Sequence, residues 1–177
     1  GCLFQGAYYV ESNGEAAVID PLREVSEYLN LAESSNSKIK YIFETHFHAD
    51  FISGHLTLSK KTNSPIIFGP KANPSFDCIV AEDNQVFKIG DISITVLHTP
   101  GHTLESTCYL LKDENDVPHC LFTGDTLFIG DVGRPDLAQK SLNFSKEELA
   151  GILYDSIQNR IAVLPDNILI YPAHGAG

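Results

Sequence analysis

Two short apolar runs open the chain, Ala7 to Val10 and Ala16 to Ile19, separated by Glu11-Ser12-Asn13-Gly14-Glu15. An Asn-Gly pair accepts the positive φ of a tight turn, so the pattern predicts a β-hairpin. Asp20-Pro21 then offers an N-cap and a first-turn proline, and Leu22, Val25, Leu29 and Ala32 recur at helical spacing, predicting a helix that ends near Ser34. Ile39 to Phe43 is nearly continuous apolar sequence bounded by polar segments, as a buried strand requires. It runs straight into Thr45-His46-Phe47-His48-Ala49-Asp50. A helix from about Phe51 to Lys60 is expected next, then a strand at Ile66 to Phe68 and a pair at Val86 to Ile89 and Ile92 to Leu97, joined at Gly90-Asp91.

The second half repeats this grammar. Strands are predicted at Thr107 to Lys112 and His119 to Phe122 around the turn-forming Asp113-Glu114-Asn115-Asp116, the latter ending at Thr123-Gly124-Asp125. Ser145-Lys146-Glu147-Glu148 is a capping box that opens a helix with a stripe of Leu149, Ile152, Leu153 and Ile157. A last strand, Ile168 to Tyr171, precedes His174. No fixed-period repeat interrupts the sequence, and Gly130 to Asn143 is the one long connection, of the kind that often carries function. Strand-rich segments followed by helices predict layered α/β or α+β architecture, and 177 residues make one domain.

Twenty-three acidic residues against twelve basic ones, a formal charge of −11, repel a phosphate backbone and an anionic membrane surface, so neither nucleic acid nor membrane is an expected partner. Cys2, Cys78, Cys108 and Cys120 form no C-x-x-C pair and read as small buried hydrophobes. With no apolar run of spanning length and no charged-then-apolar leader, the expected compartment is cytoplasmic. The chain opens on Gly-Cys without Met and stops in a loop after Tyr171-Pro172, which suggests that the natural protein continues.

Every polar residue of chemical interest follows an apolar strand. His46, His48 and Asp50 follow one, His102 another in a Pro-Gly turn, Asp125 a third and His174 a fourth. One face of the sheet core is expected to collect them, as a metal site needs; a lone H-x-H would say little. Three histidines with a carboxylate suit zinc, whereas two histidines with a carboxylate and open positions suit non-haem iron, and ligand counting leaves both open. Arg134 is the only arginine between Arg23 and Arg160 and follows Asp125 in the long loop. It reads either as a surface partner of Asp131 or Asp136 or as a contact for an anionic substrate group. His55, His98 and His119 read as structural.

In order and spacing these residues resemble the metallo-β-lactamase superfamily pattern H-x-H-x-D-H, Pro-Gly-His, Gly-Asp and a final His. The sixth position of the first motif, usually a second-metal histidine, is Phe51. A Phe offers no lone pair, so the paired site should be lost or weak. The stretches Glu44 to His55, Thr99 to Thr103 and Thr123 to Leu137 are similar to the persulfide dioxygenase branch fused to rhodanese domains.

The resemblance implies an α+β, four-layer αβ/βα sandwich over residues 1–177 as a single catalytic domain, followed in the natural protein by rhodanese-like segments. It implies one Fe(2+) held by His46, His102 and Asp125, with His48, Asp50 and His174 supporting and Arg134 contacting substrate. The implied reaction consumes a low-molecular-weight thiol persulfide and O2, giving sulfite and thiol. The alternative is a zinc-dependent thioester hydrolase resembling glyoxalase II, against which Phe51 counts; a non-enzymatic metal- or sulfide-sensing module is a third reading.

Overall fold

The computed structural model describes residues 5–137 and 144–175. Among the described residues, ten strands form two five-stranded sheets. The first holds β1 (Tyr8–Ser12), β2 (Glu15–Ile19), β3 (Lys38–Glu44), β4 (Ile66–Phe68) and β5 (Ile79–Val80) in that spatial order. The second runs β10 (Leu169–Pro172), β9 (Pro118–Gly124), β8 (Thr107–Lys112), β7 (Ile92–His98) and β6 (Val86–Ile89). The helices are α1 (Ser26–Ser34), α2 (His55–Thr62) and α3 (Lys146–Ser156).

Strand alternation assigns every buried side chain to a layer. From β2, Ala17 and Ile19 enter the space between the sheets while Ala16 and Val18 face outward; from β8, Tyr109 and Leu111 enter it while Cys108 and Leu110 face outward. Phe43, Ile67, Phe87 and Phe122 complete the central layer, with Phe43 lying 4.9 Å from the Tyr109 ring and 5.5 Å from Phe87, contacts worth about 0.5–1.5 kcal/mol each beyond burial. Outside the first sheet, Ala16, Val18, Ile39 and Ile42 meet Val25, Tyr28 and Ala32 at α1 and Leu58 of α2. Outside the second, Cys108, Leu110 and Leu121 meet Ile157 and Ile161. The result is the expected four-layer α+β sandwich.

The capping box of Ser145 and Glu148 is present with both bonds formed. Two helix starts differ from expectation. α1 begins at Ser26, because Asp20 does not cap it: its φ is +49° and its carboxylate accepts from the Thr45 amide and hydroxyl at the end of β3. α2 begins at His55 rather than near Phe51, because the Gly54 amide and the Ser53 hydroxyl both bond to the Pro21 carbonyl, which ties that segment to its neighbour before the helix starts. Periodicity also missed the two-residue strand β5, a 3₁₀ turn at Pro135–Leu137 and a π-turn at Ile157–Ile161. Cys2 and residues 138–143 of the long loop lie outside the described residues.

Parallel pairing of β2 with β3 and of β9 with β10 brings like strand ends together. Asp20 thereby neighbours the His46 loop, and Asp125 neighbours His174.

Candidate metal centre

His46, two residues beyond β3, His102, in the turn after β7, and Asp125, directly after β9, converge so that one ligand atom of each lies within 4.8 Å of the others. Asp125 Oδ2 stands 3.6 Å from His102 Nε2 and 3.9 Å from His46 Nε2. Both rings commit their other nitrogen elsewhere. His102 Nδ1 lies 3.1 Å from the Arg134 carbonyl, to which it donates. His46 Nδ1 lies 3.0 Å from Thr45 Oγ1, whose own hydrogen goes to Asp20 Oδ2 at 2.7 Å, so the hydroxyl oxygen accepts from the ring. Each Nε2 is thereby left facing Asp125, the orientation a metal ligand needs. Burial, with the neighbouring His48, His102 and His174, holds the His46 ring well below the usual histidine range and hence neutral. This donor set suits a divalent cation.

Close approach of the backbone builds the corner. Gly124 has φ +53°, and a Cβ there would stand 2.6 Å from Thr45 Oγ1, so the residue before Asp125 must be glycine for β9 to reach β3. Gly101, at φ +140°, lies against the Leu153 backbone of α3 and seats the His102 turn on that helix.

His174 joins this group through Asp125, with Nδ1 2.6 Å from Asp125 Oδ1 and Nε2 2.9 Å from Asp50 Oδ2. Burial pulls its pKa down, but the hydrogen bonds and charges of the two carboxylates outweigh it and raise the pKa overall. Asp50 and His174 are thus part of the same constellation.

His48 is placed differently. Its ring lies 4.3 Å from that of His46, yet its Nε2 points to Asp20 Oδ1 and Glu44 Oε2, both at 3.2 Å, in a pocket where the three side chains are 1–2% exposed. Glu44 also receives the Ser53 hydroxyl at 2.6 Å and lies 3.2 Å from His55 Nδ1. Burial opposes ionisation here, but His48 and His55 hold the Glu44 carboxyl below its usual range, and Asp20 and Glu44 push His48 up to about 10. The alternation that sends residues two apart to one side ends with β3 at Glu44, so it does not govern His48. Sequence reasoning missed Asp20, Glu44, Thr45 and His55 as members of the site's support. The available signal was that Asp20, like Asp125, stands where an apolar strand ends.

Arg134 contributes its carbonyl to His102, whereas its guanidinium lies exposed and takes Asp136 through two bonds of 3.1 and 2.7 Å. His98 bonds the Leu104 carbonyl, and Cys108 and Cys120 are core residues whose thiols burial pushes up to about 11.

The family model for the metallo-beta-lactamase superfamily matches residues 1–174. The chain belongs to that superfamily. A metallo-beta-lactamase from Staphylococcus aureus subsp. aureus COL superposes with TM-score 0.86 at 38% identity, covering 98% of this chain and 53% of that one. ETHE1 from Myxococcus xanthus superposes with TM-score 0.82 at 29% identity over 98% of this chain and 72% of its own, supporting the branch likeness of the motifs. The hydroxyacylglutathione hydrolase of Dictyostelium discoideum is 35% identical over 169 residues, 93% of this chain and 59% of its own length. The chain thus spans about three-fifths of that curated relative.

These findings correct the expected reaction. Relatives at 30–35% identity carry the name hydroxyacylglutathione hydrolase, which favours thioester hydrolysis over the iron(II)-dependent oxidation of a thiol persulfide by O2. Phe51 does not count against hydrolysis: a ring without a lone pair bears on a second cation and leaves the His46, His102 and Asp125 donors untouched. The expected rhodanese-like partner finds no support either: the superfamily match accounts for residues 1–174, and none of those residues forms a rhodanese-like segment. No helix among the described residues is long and apolar enough to cross a membrane.

Proposed function

We propose that this chain is the catalytic domain of a zinc-dependent thioester hydrolase, with His46, His102 and Asp125 as the metal ligands. The observation that carries the reading is the similarity, across 93% of the chain, to a hydroxyacylglutathione hydrolase. The donor set agrees with it: two imidazoles and a carboxylate suit zinc and leave a position for water. A cation bound there lowers the pKa of its water and polarises the thioester carbonyl.

The remaining residues divide the work. Asp125 spends Oδ2 on the ligand cluster and Oδ1 on His174, so the His174 imidazole fixes the carboxylate's orientation. Asp50, with Oδ2 taken by His174, keeps Oδ1 to receive the proton of the attacking water. Water adds its oxygen to the carbonyl carbon, the C–S bond breaks and the sulfur leaves as thiolate, which needs no strong acid because a thiol pKa is about 8.5. His48, held between Asp20 and Glu44, acts as a positioning residue for the loop that carries His46 and Asp50. For the Arg134 guanidinium to meet an anionic part of the substrate it must exchange its bonds to Asp136, which an exposed pair does at little cost.

The test is metal content and thioester cleavage measured on one preparation loaded with zinc. S-lactoylglutathione should be hydrolysed, and His102→Ala should lose both stoichiometric zinc and turnover. Full zinc binding without cleavage of any thioester would overturn the reading.

A further inference from the structure

His46 and His102 sit on loops from opposite sheets, beyond β3 and β7, and a cation shared between them needs their rings at a fixed separation. The two loops are built very differently. The His102 turn is pinned throughout: Thr99 N donates to the Ser106 carbonyl, Gly101 N to the Thr103 carbonyl, Thr103 N to Ser106 Oγ and the Thr107 hydroxyl to the Glu105 carbonyl, all at 2.9–3.0 Å. His98 Nε2 adds a bond of 2.9 Å to the Leu104 carbonyl.

The loop from His46 to Asp50 is nearly untied. Among the described residues its main chain makes one hydrogen bond, from the Phe47 amide, and the acceptor is Glu105 Oε1 at 3.1 Å. Phe47 stands between His46 and His48, and Glu105 is three residues beyond His102. The two main chains last touch where the Thr107 amide donates to the Thr45 carbonyl at 2.9 Å. Beyond that point the Glu105 side chain spans the gap. The Phe47 ring lies 4.8 Å from that of Phe68 in β4, so Phe47 is anchored to the first sheet by its ring and to the His102 turn by its amide. The His46 and His102 rings then meet edge to face, 5.0 Å apart at 87°.

We propose that Glu105 is a positioning residue that sets the separation of His46 and His102 for the cation; this rests on their assignment as ligands in the hydrolase reading. The carboxylate acts by its reach and not as a further ligand: it does not belong to the group of His46, His102 and Asp125, and among the described residues its one side-chain partner is the Phe47 amide. With that bond gone, the main chain on which His46 and His48 sit has no hydrogen-bonded tie to the turn that presents His102, and the two rings no longer keep one spacing.

Three variants separate reach from charge. Zinc affinity, measured by competition with a chromophoric chelator, should fall about tenfold in Glu105→Ala. Glu105→Gln keeps the length and an acceptor oxygen, and should stay within about twofold of the parent chain. Glu105→Asp keeps the charge but is one methylene short, and should behave as Glu105→Ala does. In cobalt(II)-substituted protein the visible absorption bands, which follow ligand geometry, should move in the Ala and Asp forms and stay in place in the Gln form. In metal-free protein the Phe47 amide should exchange with deuterium about tenfold faster in Glu105→Ala than in the parent. Affinity unchanged in Glu105→Ala, or kept in Glu105→Asp and lost in Glu105→Gln, overturns the positioning role, and the ligand assignment stands as long as His102→Ala still loses zinc. An unmoved Phe47 exchange rate overturns the bond itself, whatever the metal content. Full zinc binding by His102→Ala overturns the ligand assignment, and the role of Glu105 with it.

Discussion

The open cluster of His46, His102 and Asp125 and the closed one of Asp20, Glu44, His48 and His55 are made from the same kinds of side chain at the ends of neighbouring strands. In the open cluster each imidazole proposed as a ligand spends Nδ1 on an uncharged acceptor, the Thr45 hydroxyl or the Arg134 carbonyl, and leaves Nε2 facing Asp125. In the closed one His48 spends Nε2 on two carboxylates that are 1–2% exposed. The first arrangement keeps its donors available; the second neutralises charge internally and holds the loop in place. Residue type does not separate a metal site from a structural ion cluster. The partner of the second ring nitrogen does.

The largest expected effect of breaking this contrast is on stability. Asp20→Ala strands the His48 ring and the Thr45 hydroxyl in a buried pocket, and should cost about 3–5 kcal/mol in urea unfolding. Asp50→Ala, at a side chain 31% exposed, removes one of two carboxylates from His174 and should cost no more than about 1 kcal/mol. Equal losses would show that the closed cluster is no more structural than the open one.

Much of this was legible beforehand. The strands β3, β4, β7 and β8 coincide with apolar runs because each is buried on both faces or nearly so, and the strand-end positions of His46, His102, Asp125 and His174 led to one common site, which the structure places where β3 of the first sheet and β7, β9 and β10 of the second end together. The closed cluster was not legible. Asp20-Pro21 satisfies the local rules for a helix start, and only the parallel neighbour β3 supplies the Thr45 amide and hydroxyl that claim the Asp20 carboxylate instead. Likewise, the His46-x-His48 spacing predicts a shared direction only while the chain is a strand, and β3 has already ended. The reaction was misread for a different reason. Phe51 carries information about a second cation, but none about which bond is attacked.

A second way to sharpen the comparison is pH. His48 is pushed up to about 10 by Asp20 and Glu44, against an ordinary value of about 6.5 when unfolded. A raised pKa contributes stability that is complete below the unfolded value and is lost as pH rises through the folded one. Unfolding free energy should therefore decline between pH 7 and 10 by up to about 1.4 kcal/mol per unit from this group. His46 has the opposite sign, since its lowered pKa makes the unfolded chain the stronger proton binder and removes stability as pH falls below about 6.5. Comparing His48→Gln with the parent chain isolates the alkaline limb, which should flatten in the variant; an unchanged slope would show that His48 is not charged in the folded state.

The finest test separates the two clusters at the one residue that joins them. Thr45 Oγ1 gives its hydrogen to Asp20 Oδ2 and takes the His46 Nδ1 hydrogen, so the closed cluster sets the tautomer of a ligand in the open one. Thr45→Val keeps the shape and the Thr45 main-chain bond to Asp20 but leaves Nδ1 without an acceptor, so the ring is free to carry its proton on Nε2, where it blocks coordination. Zinc affinity by calorimetry should fall about 10–100-fold, the usual consequence of removing the partner of a ligating histidine, while stability falls much less than in Asp20→Ala. Thr45→Ser should recover most of the affinity, because the hydroxyl alone is what His46 needs. If serine fails where threonine succeeds, the Thr45 methyl packed against Gly124 is what positions His46, and the link between the clusters is steric rather than a proton held at Nδ1.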